Sequence, residues 1–143
     1  RFTDADIKEE EILNNQADTR LRELGLSRQK ISYLKSLAGS GLDFHELEVM
    51  ENEEVINVLT DITGIGLWTA EIYCIFSLRR LDIFPAGDLA LQEATRQLLI
   101  LESRPSEKEM RKIAKSWMPY RSVCAIILWH LYRNFKSRES TLW

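Results

Sequence analysis

The sequence has little cysteine, histidine, glycine or proline, and each shortage excludes a class of protein. Its 143 residues include only 2 Cys, each inside an apolar helical pattern, and 2 His without partner ligands at metal spacing, so we expect no four-ligand structural zinc or iron–sulfur site. With 6 Gly and 3 Pro, it is neither collagen-like nor low in complexity. The longest apolar run, Val123–Trp129, is too short to span a bilayer. We therefore expect no membrane partner, and buried free thiols at Cys74 and Cys124 in a reducing compartment.

Helical periodicity runs through nearly the whole chain, and no alternating run of β-branched residues predicts a strand. We predict a single all-α domain over residues 1–143 with about eight short helices. The predicted helices cover residues 3–13, 17–24, 28 to near Gly39–Gly41, 52–59, 67–78, 89–101, 107–117 and 119–135. The residues expected to bound them are the N-caps Thr3, Ser27 and Asn52, the capping box Ser106–Glu109, the C′ glycine Gly25 and the first-turn Pro119.

Charge is distributed unevenly along the chain. The formal net charge is −3, which by itself does not indicate a nucleic-acid partner. Residues 1–60, however, carry 7 basic against 13 acidic residues, whereas residues 61–143 carry 12 against 9. From Arg111 to Arg138 there are seven basic residues and no acidic one. A basic half suits an anionic partner, although a solvated helix surface has the same composition.

The segment Leu59–Ala70 contains the most informative turn. Gly64 and Gly66 join two predicted helices, and glycine allows positive φ and close approach of the backbone to a partner. The second helix begins with unpaired N–H groups, which form an anion site suited to DNA phosphate. A plain helical hairpin would show the same glycines, so the turn alone leaves both interpretations open.

A second segment, residues 82–92, contains a candidate catalytic carboxylate. Pro85 and Gly87 predict an extended loop, and Asp88 stands where the next helix begins. Asp is among the best N-cap residues, so a purely structural role is open. The two roles are compatible, because a carboxylate held ionised at a helix start can also stabilise a developing cation or orient a water.

Together these segments resemble the helix-hairpin-helix (HhH-GPD) DNA glycosylase superfamily, and most closely its DNA-3-methyladenine glycosylase II family. The hairpin at residues 59–79 is followed by the Gly/Pro-Asp loop at residues 82–92, in the family's order and spacing. Gly25–Lys30, Trp117–Ser122 and Trp129 also match, so the resemblance covers roughly Leu21 to Arg133. It implies a multi-helix DNA glycosylase domain that lacks the family's N-terminal part. That part contains several helices and the loop whose side chain fills the gap left by the flipped base.

The resemblance also implies a role for individual residues. Asp88 matches the catalytic aspartate, which supports departure of the base and attack by water. Trp68 and Trp129 match aromatic positions of the base pocket, where a π face favours a cationic alkylated ring; core packing is the alternative for Trp129. The residues expected to bind DNA are Thr63, Gly64, Ile65, Gly66, Trp68 and Thr69. The backbone carbonyls expected to hold a monovalent cation are those of Thr60, Ile62 and Ile65.

At two positions of the hairpin, this sequence has a different residue from members of the superfamily with which it is compared. Trp68 stands where members that also cut the backbone, such as endonuclease III, have a Schiff-base lysine, so β-elimination is not expected. Thr63 stands where the family usually has proline, which makes the turn less rigid. Neither His45 nor His130 has partner ligands at metal spacing, and we expect both to be structural or surface residues.

We therefore expect a monofunctional glycosylase that hydrolyses the N-glycosidic bond of alkylated purines by base flipping. Its expected partner is double-stranded DNA with damaged bases, and we expect no cofactor apart from the cation at the hairpin. We also expect a monomer in the cytoplasm, at the nucleoid or in the nucleus according to the source. Two alternatives remain: a non-catalytic DNA-binding module in which Asp88 is only a cap, and a glycosylase for uracil or a mismatched base.

Overall fold

The computed structural model describes residues 15–140, and their side chains from residue 18 to residue 137. Within that range the chain is helical with no strand, which confirms the all-α prediction. The helix predicted after Thr3 lies outside the described residues. The elements are α1 (Asn15–Glu23), α2 (Arg28–Ala38), α3 (Glu46–Val49), α4 (Asn52–Thr60), α5 (Leu67–Phe76), α6 (Leu89–Leu98), α7 (Glu107–Ile113), a 3-10 turn (Ala114–Trp117) and α8 (Arg121–Ser140).

The chain forms two compact units, with the boundary between Gly66 and Leu67. In the first unit, α1 ends at Glu23, and Gly25 follows two residues later with a φ of +89°, the left-handed conformation that glycine adopts most readily. The Ser27 side chain then accepts from the backbone N–H of Lys30, as predicted for an N-cap. Among the residues of this unit whose side chains the structure describes, the buried apolar ones are Leu21, Ile31, Leu47, Val55, Leu59 and Ile62.

Two details of the first unit differ from the predictions. Asn52 is not the cap of α4 but its first helical residue; Glu51 occupies the cap position and makes no side-chain capping bond. The short helix α3 was not predicted, because four residues are too few to show a helical period. It positions Leu47, which is completely buried.

The second unit is built on the packing of α6 against α8. Its buried core includes Leu91 and Ala94 of α6 together with Ala125 and Leu128 of α8. Alanine has a small side chain, so alanines in a close-packed core allow helix backbones to approach closely. Met110 of α7 and Phe84 and Ala86 of the loop before α6 also belong to this cluster. The core therefore lies directly beneath the segment that leads into Asp88.

The ends of the helices in this unit refine the predictions. The capping box at Ser106 and Glu109 is present in both directions. Helix α5 ends at Phe76 and α6 at Leu98, each earlier than predicted. Pro119 follows a cis peptide bond and precedes α8, rather than lying in its first turn. No helix between residues 15 and 140 is long and apolar enough to cross a membrane.

Candidate active site

Asp88 is the N-cap of α6, as the sequence predicts. Its Oδ1 accepts hydrogen bonds from the backbone N–H groups of Ala90 at 2.8 Å and Leu91 at 3.0 Å. These bonds satisfy two of the helix's unpaired N-terminal donors. The other carboxylate oxygen, Oδ2, is not used by the cap. Oδ1 of Asp88 therefore caps the helix, and Oδ2 can accept a hydrogen bond from a group outside α6.

Trp68 contacts that second oxygen. It lies in the first turn of α5, and its indole Nε1 donates to Asp88 Oδ2 over 2.9 Å. The tryptophan is 50% exposed, so part of its ring remains accessible. The structure thus brings together two residues that the sequence predicted for the site, although they are 20 positions apart.

The loop before Asp88 is held at its start by the first residues of α8. Arg121 donates through Nε to Oδ1 of Asp82 at 2.6 Å and through Nη2 to Oδ2 at 2.9 Å. This paired hydrogen bond lowers the pKa of the Asp82 carboxyl. Ser122 is buried, and its Oγ accepts from the backbone N–H of Ile83 at 2.9 Å and donates to the Ile83 carbonyl at 3.0 Å.

Two further contacts hold the middle of the loop. The rings of Phe84 and Trp117 meet edge to face, with centroids 5.3 Å apart. The buried side chain of Gln92, one turn into α6, donates to the Ala86 carbonyl at 2.9 Å. Trp117 is partly buried and packs against the core of the second unit. Because these contacts are spaced along the loop, the position of Asp88 is determined by the packed core rather than by the loop alone.

A buried carboxylate lies on α5, one turn after Trp68. Glu71 is 4% exposed, and burial raises the pKa of its carboxyl to about 6 in spite of the nearby Arg111. Arg111 of α7 donates to Glu71 Oε1 at 3.3 Å and to Glu107 Oε1 at 2.7 Å. A Cβ built on Gly87 would lie 3.5 Å from Glu107 Oε2. This charged cluster therefore borders the residue that precedes Asp88.

The predicted DNA-binding turn follows α4 in the first unit. Gly64 has a φ of +100°, and a Cβ placed on it would overlap the Cβ, Cγ and Cδ1 atoms of Tyr33 on α2. A Cβ on Gly66 would meet no atom within 4 Å. Thr63 is exposed, as a residue that contacts a partner must be. Glycine is therefore required at position 64 for both the turn and the contact with Tyr33, whereas position 66 has room for a Cβ.

The carbonyls predicted for a cation belong to the same turn. The Ile62 carbonyl accepts the backbone N–H of Ile65 at 3.0 Å. A carbonyl oxygen has two lone pairs, so this bond leaves one for a ligand. Among the described residues, no group of three or more His, Cys, Asp or Glu side chains is arranged to hold a metal ion.

Trp129 lies in a mixed environment. Its ring packs on Phe76 at the end of α5, with centroids 5.7 Å apart, and it also borders the core of the second unit. Phe76 is eight residues beyond Trp68, which corresponds to about 12 Å along the helix. The structure places Trp129 against the far end of α5, so its role in a base pocket stays a prediction.

The sequence did not reveal which basic residues are neutralised. Of the seven between Arg111 and Arg138, Arg111 pairs with Glu71 and Glu107, and Arg121 pairs with Asp82. Glu71 and Asp82 lie about 40 positions from their arginines, and the sequence gives no signal for such distant pairs. Only the pair of Glu107 and Arg111, one helical turn apart, could be expected from spacing. His45 and His130 are exposed, as predicted. Cys74 is buried, whereas Cys124 is only partly so.

Comparison with known proteins identifies the family. The chain is 35% identical over 126 residues to the alkylbase DNA glycosidase-like protein of Schizosaccharomyces pombe, an alignment that covers 85% of this chain and 59% of the relative. It resembles the 3-methyladenine DNA glycosylase of the same yeast solved in complex with abasic DNA, with 37% identity, a TM-score of 0.73, and coverage of 85% of this chain and 61% of the other.

A 3-methyladenine DNA glycosidase of Bacillus halodurans gives a TM-score of 0.77 at 37% identity, over 91% of this chain and 61% of the other. The chain therefore spans about three fifths of the length of these relatives. Residues 1–120 match the family described as HhH-GPD superfamily base excision DNA repair protein. The chain belongs to the HhH-GPD superfamily of base excision DNA repair proteins.

Proposed function

We propose that this chain carries the catalytic centre of a monofunctional DNA glycosylase that removes alkylated purines of the 3-methyladenine type from double-stranded DNA. The observation that carries the proposal is the Asp88 carboxylate, capped through one oxygen and directed away from its helix through the other. The solved yeast relative is a 3-methyladenine DNA glycosylase in complex with abasic DNA, which supports the same reaction and partner here.

The proposed chemistry is hydrolysis of the N-glycosidic bond in a flipped nucleotide. The bond breaks with its electron pair leaving on the base, and an alkylated cationic purine departs as a neutral molecule. Asp88 stabilises the positive charge that develops on the sugar. Water then adds to C1′ and gives its proton to the carboxylate, which releases it to solvent. The products are a free base and an abasic site.

Trp68 accounts for the absence of strand cleavage in this proposal. A lyase reaction needs an amine that forms an imine with the sugar. An indole has no nucleophilic amine and acts only as a hydrogen-bond donor. Residue 68 therefore cannot form a Schiff base, and we expect intact strands at the abasic product.

The turn after α4 supplies the proposed contact with the DNA backbone. Residues Thr63–Gly66 and the first N–H groups of α5 would bind phosphate. The carbonyls of Thr60, Ile62 and Ile65 suit a monovalent cation, since hard cations prefer oxygen ligands. Such an ion would add positive charge beside the phosphate. We propose that the protein acts as a monomer, at the nucleoid or in the nucleus according to its source.

The decisive experiment measures release of free base from duplex DNA treated with a methylating agent. We expect methyladenine or methylguanine to be released without strand cleavage. Asp88→Asn should abolish release and leave DNA affinity nearly unchanged, because Asn caps a helix about as well as Asp. Asp43→Asn is a matched control, because Asp43 is an exposed carboxylate that accepts the backbone N–H of His45. Base release by the Asp88→Asn variant would contradict the catalytic role and favour Asp88 as a cap alone.

A further inference from the structure

The two oxygens of Asp88 differ in how many of their lone pairs are occupied. A carboxylate has about four acceptor positions, two on each oxygen. The N–H groups of Ala90 and Leu91 occupy both positions on Oδ1. The indole of Trp68 occupies one position on Oδ2. One acceptor position of Oδ2 is therefore left for water or for the developing charge on the sugar.

The direction of the contact between Trp68 and Asp88 is unambiguous. The indole nitrogen can only donate, and the ionised carboxylate can only accept. Hydrogen bonds to a charged group are roughly twice as strong as neutral ones. The carboxylate turns about its Cβ–Cγ bond as a rigid group, so any rotation moves both oxygens together. The cap restrains this rotation at Oδ1, and the indole adds a restraint at Oδ2, on the other side of the bond.

We infer that Trp68 is a positioning residue for Asp88: its indole N–H holds Oδ2, the reacting oxygen, in the orientation needed for hydrolysis. This inference rests on the proposed function and adds a task to a residue predicted only to line the base pocket and bind DNA. Because a preorganised carboxylate needs no rearrangement during the reaction, this task acts on the chemical step. Contact of the ring with a flipped base and of the backbone N–H with phosphate are separate interactions.

The structural test uses the indole N–H signals of the tryptophans in an NMR spectrum. Trp68→Phe identifies the signal of Trp68. Asp88→Asn keeps the cap through its single oxygen and directs Nδ2, which is a donor, at the indole. We expect the Trp68 signal to move in this variant, while those of Trp117 and Trp129, which contact Phe84 and Phe76, stay in place. An unmoved Trp68 signal would overturn the inference, whether or not the chain releases bases.

The kinetic test compares Trp68→Phe with the unsubstituted chain on methylated duplex DNA under single-turnover conditions. We expect base release to slow about tenfold to a hundredfold, as for loss of one hydrogen bond to a charged group. Affinity for abasic DNA should change less than about twofold, because the backbone N–H of residue 68 remains. If Trp68→Phe fails to fold, replacement of Trp68 by 3-benzothienylalanine keeps the bicyclic shape and removes only the donor.

The outcomes separate this inference from the proposed function. An active unsubstituted chain with an equally fast Trp68→Phe variant overturns the positioning role and leaves the glycosylase in place. A loss of DNA affinity that matches the loss of rate would assign Trp68 to binding and also overturn the inference. A chain that releases no base overturns the proposed function and this inference with it, while the NMR result still reports on the hydrogen bond.

Discussion

The hydroxyl of Ser122 bridges both backbone polar groups of Ile83, accepting from its N–H at 2.9 Å and donating to its carbonyl at 3.0 Å. One buried side chain therefore replaces the hydrogen bonds that a strand or helix would supply. The same residue donates its own backbone N–H to the carbonyl of Leu81 at 2.9 Å. The beginning of the Asp88 loop is thus tied to the first turns of α8 at successive residues.

Replacing this hydroxyl should destabilise the protein. Ser122→Ala leaves the N–H of Ile83 without this partner in a buried position, and we expect the free energy of unfolding to fall by about 1–3 kcal/mol. Ser116→Ala is the matched control, because the exposed Ser116 hydroxyl donates to a carbonyl three residues earlier. Urea denaturation would compare the two variants. Equal losses in both would contradict the bridging role.

The two glycines of the hairpin turn should respond differently to substitution. Gly64→Ala combines a strained positive φ with overlap against Tyr33, and strain of this kind costs about 1–3 kcal/mol before the overlap is counted. Gly66→Ala meets no neighbour within 4 Å and should be nearly neutral. Thermal denaturation of both variants tests this difference. A tolerated alanine at position 64 would show that the contact between α2 and the turn is not required.

Glu71 should give the protein an unusual dependence of stability on pH. Its pKa rises from 4.5 to about 6 on folding because of burial, so the folded state holds this proton more tightly than the unfolded state. The stabilisation is fully present below pH 4.5 and is lost as pH rises through about 6. We therefore expect the unsubstituted protein to lose about 2 kcal/mol relative to Glu71→Gln across that window.

Glu93→Gln is a control in which the change of stability with pH should have the opposite sign. The hydrogen bond from Arg96 lowers the pKa of Glu93, so the stabilisation from this group is lost as pH falls. Relative to Glu93→Gln, the unsubstituted protein should therefore become less stable towards acid. Urea denaturation between pH 4 and pH 7 would separate the two effects. A pH-independent difference for Glu71→Gln would contradict the assigned shift.

Local signals in the sequence predicted much of the fold. The caps at Ser27, Ser106 and Asp88 each depend on contacts within three residues, and such contacts can be read from a sequence. Asn52 shows the limit of this reasoning: it has the residue type of a cap, but the helix begins one position earlier than that assignment requires. Residue type indicates that a helix begins nearby but does not determine its first residue.

The contacts that build the site could not be predicted in the same way. Trp68 and Asp88 were assigned to the site separately, and their hydrogen bond depends on how α5 packs beside the loop. Arg111 was interpreted as part of a basic surface, yet it pairs with Glu71, 40 positions away. Such pairs are fixed by tertiary packing, which leaves no periodic pattern in the sequence.

The cap at Asp88 has a consequence for natural variation at this position. The Oδ1 contacts to Ala90 and Leu91 are ones that Asn, Ser or Thr could also make. A variant with one of these residues would keep the capped helix and melt at an ordinary temperature. If the chain is the glycosylase proposed above, such a protein would still occupy damaged sites without releasing the base and would shield lesions from other repair enzymes, a defect that a screen for stability would miss.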